Sequence, residues 1–399
     1  MASQRFIVSA DSHIIEPYDL WTKALGRKHG DKVPHRVKAA KSLDGKKTVE
    51  GDFMFTGQDY LGIGDLRQEN AGDTLDSTVP IPTGDLLPEL ANKVLKSNHD
   101  PAVRLELQDH DGVAAEIIQG TNTLLAMRTR DTAVLHDVAA VFNDYCAEYC
   151  SHDPKRLIGT AMIPTRDPAW ASKELARMAK RDMKAVIINT DLPPGYEPYR
   201  RKMYDRIWET AIDHDMVVVL HLGTGETVDP FALVTPEEQE DGPKLFLDIF
   251  DDHKRTLVNE FIFGGIFDRF RKLKLMLGEY ECSWFPYFQF RLRQMRGALG
   301  LAMRLPQVTR EADEYIRDHV WIGFTDDQYV SKAWDVADGA NKLMWGSDYP
   351  HPRNTFPNSR AILDRICAGM PAHVKANVEG LNCARLFGID VPKMRAAAE

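Results

Sequence analysis

Residues 6–17 read FIVSADSHIIEP. The apolar run Phe6–Ala10 reads as a short strand, and it gives way at once to Asp11-Ser12-His13. Side chains along a strand alternate with a period of two, so Asp11 and His13 are predicted to point to the same side. A carboxylate and an imidazole together suit Zn2+, Mn2+ or Fe2+ better than Mg2+ or Ca2+, which prefer oxygen shells. Alone the pattern is weak, because either residue also caps a turn.

Outward from this run, short apolar β-branched segments recur, separated by stretches of helical periodicity. They are Ala115–Gln119, Leu157–Ile163, Ala185–Asn189, Val217–His221, Leu273–Gly278, Val320–Gly323 and Leu343–Gly346. With the first run they make about eight, the number that closes a parallel (β/α)8 TIM barrel of the α/β class. Helical signals fill the gaps: Asp131 to Cys150 reads as one amphipathic helix, and Pro168 sits where a first helical turn tolerates proline.

Two segments break the alternation. Residues 26–98 follow the first strand, are rich in Gly, Pro, Asp and Lys, and are expected to form a cap or oligomerisation arm. Residues 223–259 form a second insertion after the fifth strand, with the acidic stretch Glu237–Asp241. Both are expected to leave from the carboxyl-terminal mouth of one barrel domain spanning 1–399, where loops of this fold build the site.

Composition excludes several function classes. With 43% hydrophobic and 27% charged residues over 399 positions, the chain reads as a globular protein. A net charge of −9 lacks the positive field that nucleic acid requires. Arg291, Arg293 and Arg296 lie among aromatic residues but read as a solvated helix face. Five unevenly spaced cysteines do not form a disulfide framework, and Cys146 with Cys150 reads as buried packing. The opening MASQRFIVSADSH has no signal-peptide pattern, and no apolar run reaches the ~20 residues a membrane span needs. The expectation is a cytoplasmic enzyme acting on a small molecule; a dimer is the default, and a hetero-oligomer stays open.

Two more strand ends carry candidate ligands. His221 closes the run MVVVLH, and Asp348 lies just beyond the last strand in WGSDYPH. On a closed ring the first and eighth strands are neighbours, which sets Asp348 beside Asp11 and His13 while His221 reaches across. Such a set with an open position lowers the pKa of a bound water towards ~7 and polarises a substrate oxygen. Asp348 is then placed to carry a proton. His351 and Arg353 either orient a substrate or hold the loop, and Trp284, Phe285 and Tyr287 either wall the pocket or pack.

The stretches SADSHIIEP (9–17), VVLHLG (218–223), LKLMLGEYECSWFPYF (273–288) and MWGSDYPHP (344–352) resemble the amidohydrolase-related family of metal-dependent barrels, in the family's order. That resemblance implies one divalent ion held by Asp11, His13, His221 and Asp348, zinc first, with manganese or iron as alternatives. Where several family members carry a histidine after the sixth strand, this chain has Glu279-Tyr280-Glu281. Glu279 therefore replaces that histidine in acid-base work, joins Glu16 around a second ion, or anchors a loop. The family contains hydrolases of cyclic and aromatic compounds and non-oxidative decarboxylases of aromatic acids. A hydrolase using metal-activated water is the first expectation, and a decarboxylase that protonates a ring carbon through Asp348 is the second. An oxygenase with two iron or manganese ions is the third, and a non-catalytic subunit binding a partner through its first insertion is the fourth.

Overall fold

A computed structural model describes residues 5–391 apart from 18, 43–44, 58, 64–87, 226–236, 307, 337 and 352. Eight parallel strands form its central sheet, in chain order around the ring. They are β1 (Val8–Ile14), β2 (Ala115–Gly120), β3 (Leu157–Met162), β4 (Ala185–Ile188), β5 (Val217–His221), β6 (Leu275–Gly278), β7 (Val320–Phe324) and β8 (Leu343–Trp345). All eight coincide with runs picked out from sequence. The largest difference is β1, which continues through Asp11 and His13 to Ile14.

Nearly every strand residue is buried, as expected where helices cover the outside of a parallel sheet and side chains fill the inside. The helices start where their caps dictate. Asp131 accepts from the amides of Ala133 and Val134 ahead of helix Thr132–Cys150, and Asp167 does the same for Ala169 and Trp170 ahead of Pro168–Ala179. Each such cap contributes about 1 kcal/mol. Cys146 and Cys150 are buried free thiols, as the packing reading required.

The ring closes between β8 and β1 without a regular ladder. Ser347 N donates to Ser9 Oγ (2.8 Å), Asp348 N to the Asp11 carbonyl (2.9 Å) and His13 N to the Tyr349 carbonyl (2.6 Å). The seam of the barrel is thus built from the residues that flank the candidate ligands. Beneath it lies Arg104, fully buried, which donates through Nε to Glu116 (2.6 Å) and through Nη1 to the His13 carbonyl (2.8 Å). Its guanidinium also stacks over the Tyr349 ring at 4.3 Å.

Removing one partner of a buried ion pair leaves the other charge uncompensated. Arg104→Met is therefore expected to cost about 3–5 kcal/mol in denaturant unfolding. Adding Glu116→Leu to it should recover part of that loss, because the orphaned carboxylate goes too; an unchanged midpoint in the single variant would show that the pair bears no weight.

Of the first insertion, residues 35–41, 48–56 and 59–63 form a separate three-stranded antiparallel sheet. The second insertion supplies helix Gly242–Thr256, preceded by a short 3-10 turn over Glu238–Asp241. Among the described residues, no helix is long and apolar enough to cross a membrane.

Candidate metal centre

All the candidate ligands stand at the carboxyl-terminal ends of strands. Asp11 and His13 lie in the last half of β1, His221 is the final residue of β5, and Glu279 follows the last residue of β6. Asp348 and His351 follow β8. Asp11, His13, His221 and Asp348 are each at most 3% exposed.

His13 Nε2 lies 3.2 Å from Asp11 Oδ1, and His221 Nε2 lies 3.3 Å from Asp11 Oδ2. The opposite nitrogen of each ring is already committed. His13 Nδ1 donates to the Gly120 carbonyl (3.3 Å) and His221 Nδ1 to the Leu222 carbonyl (2.9 Å). These contacts fix the tautomer and leave both Nε2 lone pairs aimed at one point beside Asp11, the arrangement metal-binding histidines use.

Asp348 comes together with a different set. Its Oδ1 is 2.8 Å from His351 Nδ1 and 3.5 Å from His13 Nε2. Within 4.8 Å of one another lie one ligand atom each from His13, Glu279, Asp348 and His351, and likewise from Asp11, His13 and His221. The four-ligand set expected from sequence is therefore divided: His13 is common to both groups, and Asp348 sits with Glu279 and His351. Asp348 (φ 57°) and Glu279 (φ 65°) both adopt left-handed backbone conformations, which are uncommon for non-glycine residues and cluster at functional sites.

Charge in this pocket is unevenly shared. Burial opposes ionisation of Asp11, but the adjoining His221 and His13 rings hold its carboxyl far below the usual range. Burial likewise opposes a charge on His221, yet Asp11 and Glu279 raise it to about 9. Burial lowers His13 to about 4, helped by His351, and burial lowers His351 to about 4. Burial raises Glu279 well above an ordinary glutamate, with Asp348 adding to it, although about a quarter of its side chain reaches solvent. Burial and then Asp11 push Asp348 up to about 8. Three carboxyl groups in one largely buried pocket do not all ionise unaided, and a divalent cation is the partner that would reverse this.

The donors fit such an ion. Asp11 Oδ2, His13 Nε2 and Asp348 Oδ1 are buried atoms without a hydrogen-bond partner, an arrangement native interiors avoid unless something else binds there. Atoms sharing an ion at about 2.0–2.2 Å stand about 3–3.5 Å apart, the separations found around Asp11 and His13.

Glu16 does not join the cluster. Its carboxylate accepts from the amides of Asn122 (2.8 Å) and Thr123 (2.9 Å) and from the Thr123 hydroxyl, capping the short helix after β2. Free amides at a helix start attract a carboxylate, and this one is spent there. Arg353 pairs with Glu281 (2.7 Å), whose other oxygen accepts from Thr325 N (3.1 Å), so it ties the β8 loop to the ends of β6 and β7. Trp284 donates to the Glu281 carbonyl (2.9 Å) and packs edge-on against His253 and Phe288. Phe285 is core, and Tyr287, 67% exposed, faces solvent. Arg293 and Arg296 pair with Asp313 and Glu311, the surface role read from sequence.

Two residues were missed. Gln119 donates through Nε2 to Asp11 Oδ1 (2.5 Å), and Thr121 Oγ1 bonds His351 Nε2 (3.0 Å). Gln119 closes the run Ala115–Gln119 read from sequence, as His221 closes Val217–His221, so the strand-end rule would have found it, although the strand itself runs one residue further to Gly120.

The sequence profile of the amidohydrolase family matches residues 93–389. The chain belongs to the amidohydrolase family. It is similar to a gamma-resorcylate decarboxylase of Polaromonas sp. strain JS666, 23% identical over 314 residues that cover 71% of this chain and 88% of that one. Among solved structures it resembles an amidohydrolase from Mycobacterium avium subsp. paratuberculosis K-10 (TM-score 0.73, 18% identity, 98% and 100% covered). It also resembles a dihydroxybenzoic acid decarboxylase of Polaromonas sp. JS666 with bound manganese and the inhibitor 2-nitroresorcinol (TM-score 0.65, 16% identity, 98% and 99% covered). This amidohydrolase is an enzyme with a divalent metal, and the donors gathered at its barrel mouth are the candidate ligands.

The seam sets how closely the ligands approach. A Cβ on Gly346 would lie 2.6 Å from Asp11 Cβ and 3.0 Å from Asp11 N. Gly346→Ala must therefore push β1 and β8 apart, and we expect a loss of about 1–3 kcal/mol with weaker divalent-metal binding. Denaturant melts and manganese titration of the variant measure both; wild-type values in each would show that the seam yields freely.

Proposed function

We propose that this amidohydrolase is a manganese-dependent, non-oxidative decarboxylase of an aromatic acid carrying a hydroxyl ortho to its carboxylate. The observation that carries the reading is Asp348: a buried carboxyl beside the Asp11–His13–His221 triad but grouped apart from Asp11 and His221. Burial favours the neutral form of a carboxyl so placed, which then has a proton to give. Support for the substrate class comes from the relatives, which are named for resorcylate and dihydroxybenzoate, one of them with manganese. They favour the decarboxylase over the hydrolase ranked first from sequence, and manganese over zinc.

When bound, a divalent ion supplies a Lewis acid that neutralises the substrate's carboxylate and phenolate oxygens. The chain's residues do the rest. Asp11, His13 and His221 would hold the ion, with Gln119 orienting Asp11 and the Gly120 and Leu222 carbonyls orienting the two rings. An ortho-hydroxyl enriches the ring carbon that bears the carboxylate, so that carbon accepts a proton from Asp348. The C–C bond then breaks, its electron pair returns to the ring, and carbon dioxide leaves. His351, between Asp348 and Thr121, is the route by which Asp348 regains its proton.

The test is incubation of the manganese-loaded protein with 2,6-dihydroxybenzoate and related ortho-hydroxybenzoates in D2O. Carbon dioxide should appear with a phenol carrying one deuterium at the former carboxyl carbon. Product labelled from 18O-water without carbon dioxide would mean hydrolysis, and no carbon dioxide from any member of the set would overturn the proposal.

A further inference from the structure

Helix Gly242–Thr256 of the second insertion carries a buried polar pair that the metal donors do not use. Asp252 is 2% exposed and His253 is fully buried. The Tyr280 hydroxyl donates to Asp252 Oδ1 (2.8 Å) and lies 3.2 Å from Thr190 Oγ1, which itself donates to the His221 carbonyl (3.2 Å). Tyr280 and Thr190 follow the carboxyl ends of β6 and β4, so the pair stands at the same mouth as the metal donors. The His253 ring stacks on Tyr280 at 3.7 Å and meets Trp284 edge-on at 4.7 Å. Three polar atoms of the pair, Asp252 Oδ2 and both ring nitrogens of His253, are buried without a hydrogen-bond partner. Each such atom costs about 1–3 kcal/mol in a folded interior, so three side by side call for a group that binds them.

The charges around the pair select that group. Asp191 adds negative field at Asp252, which disfavours an anion, while Lys254 and Arg255 add positive field at His253, which disfavours a cation. Burial raises the Asp252 carboxyl to about 7 and holds His253 well below an ordinary histidine, so the imidazole is neutral. A neutral imidazole has one nitrogen that donates and one that accepts, and a carboxylate oxygen accepts. A hydroxyl is uncharged and is donor and acceptor at once, which matches this set. We propose that Asp252 and His253 form a specificity subsite for an uncharged hydroxyl on the aromatic ring of the substrate, remote from its carboxylate. The assignment to a substrate ring rests on the decarboxylase reading of the preceding section, whereas the unpaired atoms do not.

A site built to hydrogen-bond a hydroxyl rejects the analogue that lacks it, because its own polar groups are then left unpaired. Calorimetric titration of manganese-loaded full-length protein with phenol, resorcinol and hydroquinone tests this without turnover. Resorcinol or hydroquinone is expected to bind about 10–100-fold more tightly than phenol. His253→Phe keeps a ring stacked on Tyr280 but removes both nitrogens, and should bring that ratio close to one. No preference in the wild type, or the same ratio in the variant, overturns the subsite. Thermal unfolding without ligand separates binding from a structural role. Phenylalanine removes two unpaired nitrogens, so the Tm of His253→Phe should rise by about 2 °C or more. A fall in Tm would mean that interior water already satisfies the imidazole, and would also overturn the proposal. Carbon dioxide released from none of the corresponding acids, with the binding ratio intact, counts against the decarboxylase alone.

Discussion

Asp348→Asn is expected to lower kcat for decarboxylation by about 10³-fold while leaving metal at Asp11, His13 and His221 in place. General acid-base catalysis typically contributes about 10²–10⁴-fold, and asparagine keeps the shape of aspartate without a proton to give. The geometry separates this from loss of metal. Asp11, His13 and His221 converge without Asp348, so one equivalent of manganese should remain by elemental analysis. Two measurements check the prediction together: kcat with saturating manganese and 2,6-dihydroxybenzoate, and metal content of the same sample. A rate within tenfold of wild type would move proton delivery elsewhere, with His351 the next group in line. Loss of all metal would show that Asp348 is a ligand of the ion after all.

How far the sequence foretold this site depends on which forces place each residue. Asp11, His13 and His221 were legible because a strand imposes a period of two and a parallel barrel puts strand ends at one mouth. Those rules are local, or follow from the topology alone. The grouping of Asp348 with Glu279 and His351 was not legible, because it depends on left-handed residues in the loops that follow β6 and β8, which no periodicity predicts. Glu16 misled for a related reason. It lies three residues beyond His13, but the groups that capture it, Asn122 and Thr123, are more than a hundred residues away in sequence. Arg353 was left open between substrate and loop, and only the position of Glu281, brought in from another strand end, pairs it with the loop.

Removing one of the three converging donors tests the metal position. His221 is fully buried at the end of β5, and its Nε2 is the contact on Asp11 Oδ2, an atom without a hydrogen bond of its own. Loss of an outer-shell partner commonly weakens metal binding about 10–100-fold, so loss of a ligand should exceed that. His221→Ala is accordingly expected to raise the Kd for manganese by more than about 100-fold and to abolish decarboxylation at micromolar metal. Thermal unfolding provides a readout independent of turnover. An ion that binds only the folded chain stabilises it by about 2.7 kcal/mol at a hundred times its Kd, so manganese should raise the wild-type Tm clearly. In His221→Ala that rise should largely vanish, since the same concentration no longer saturates the site. If the variant keeps the wild-type manganese shift, the ion is held elsewhere, and Asp11 and His221 are a buried ion pair that only supports the barrel mouth.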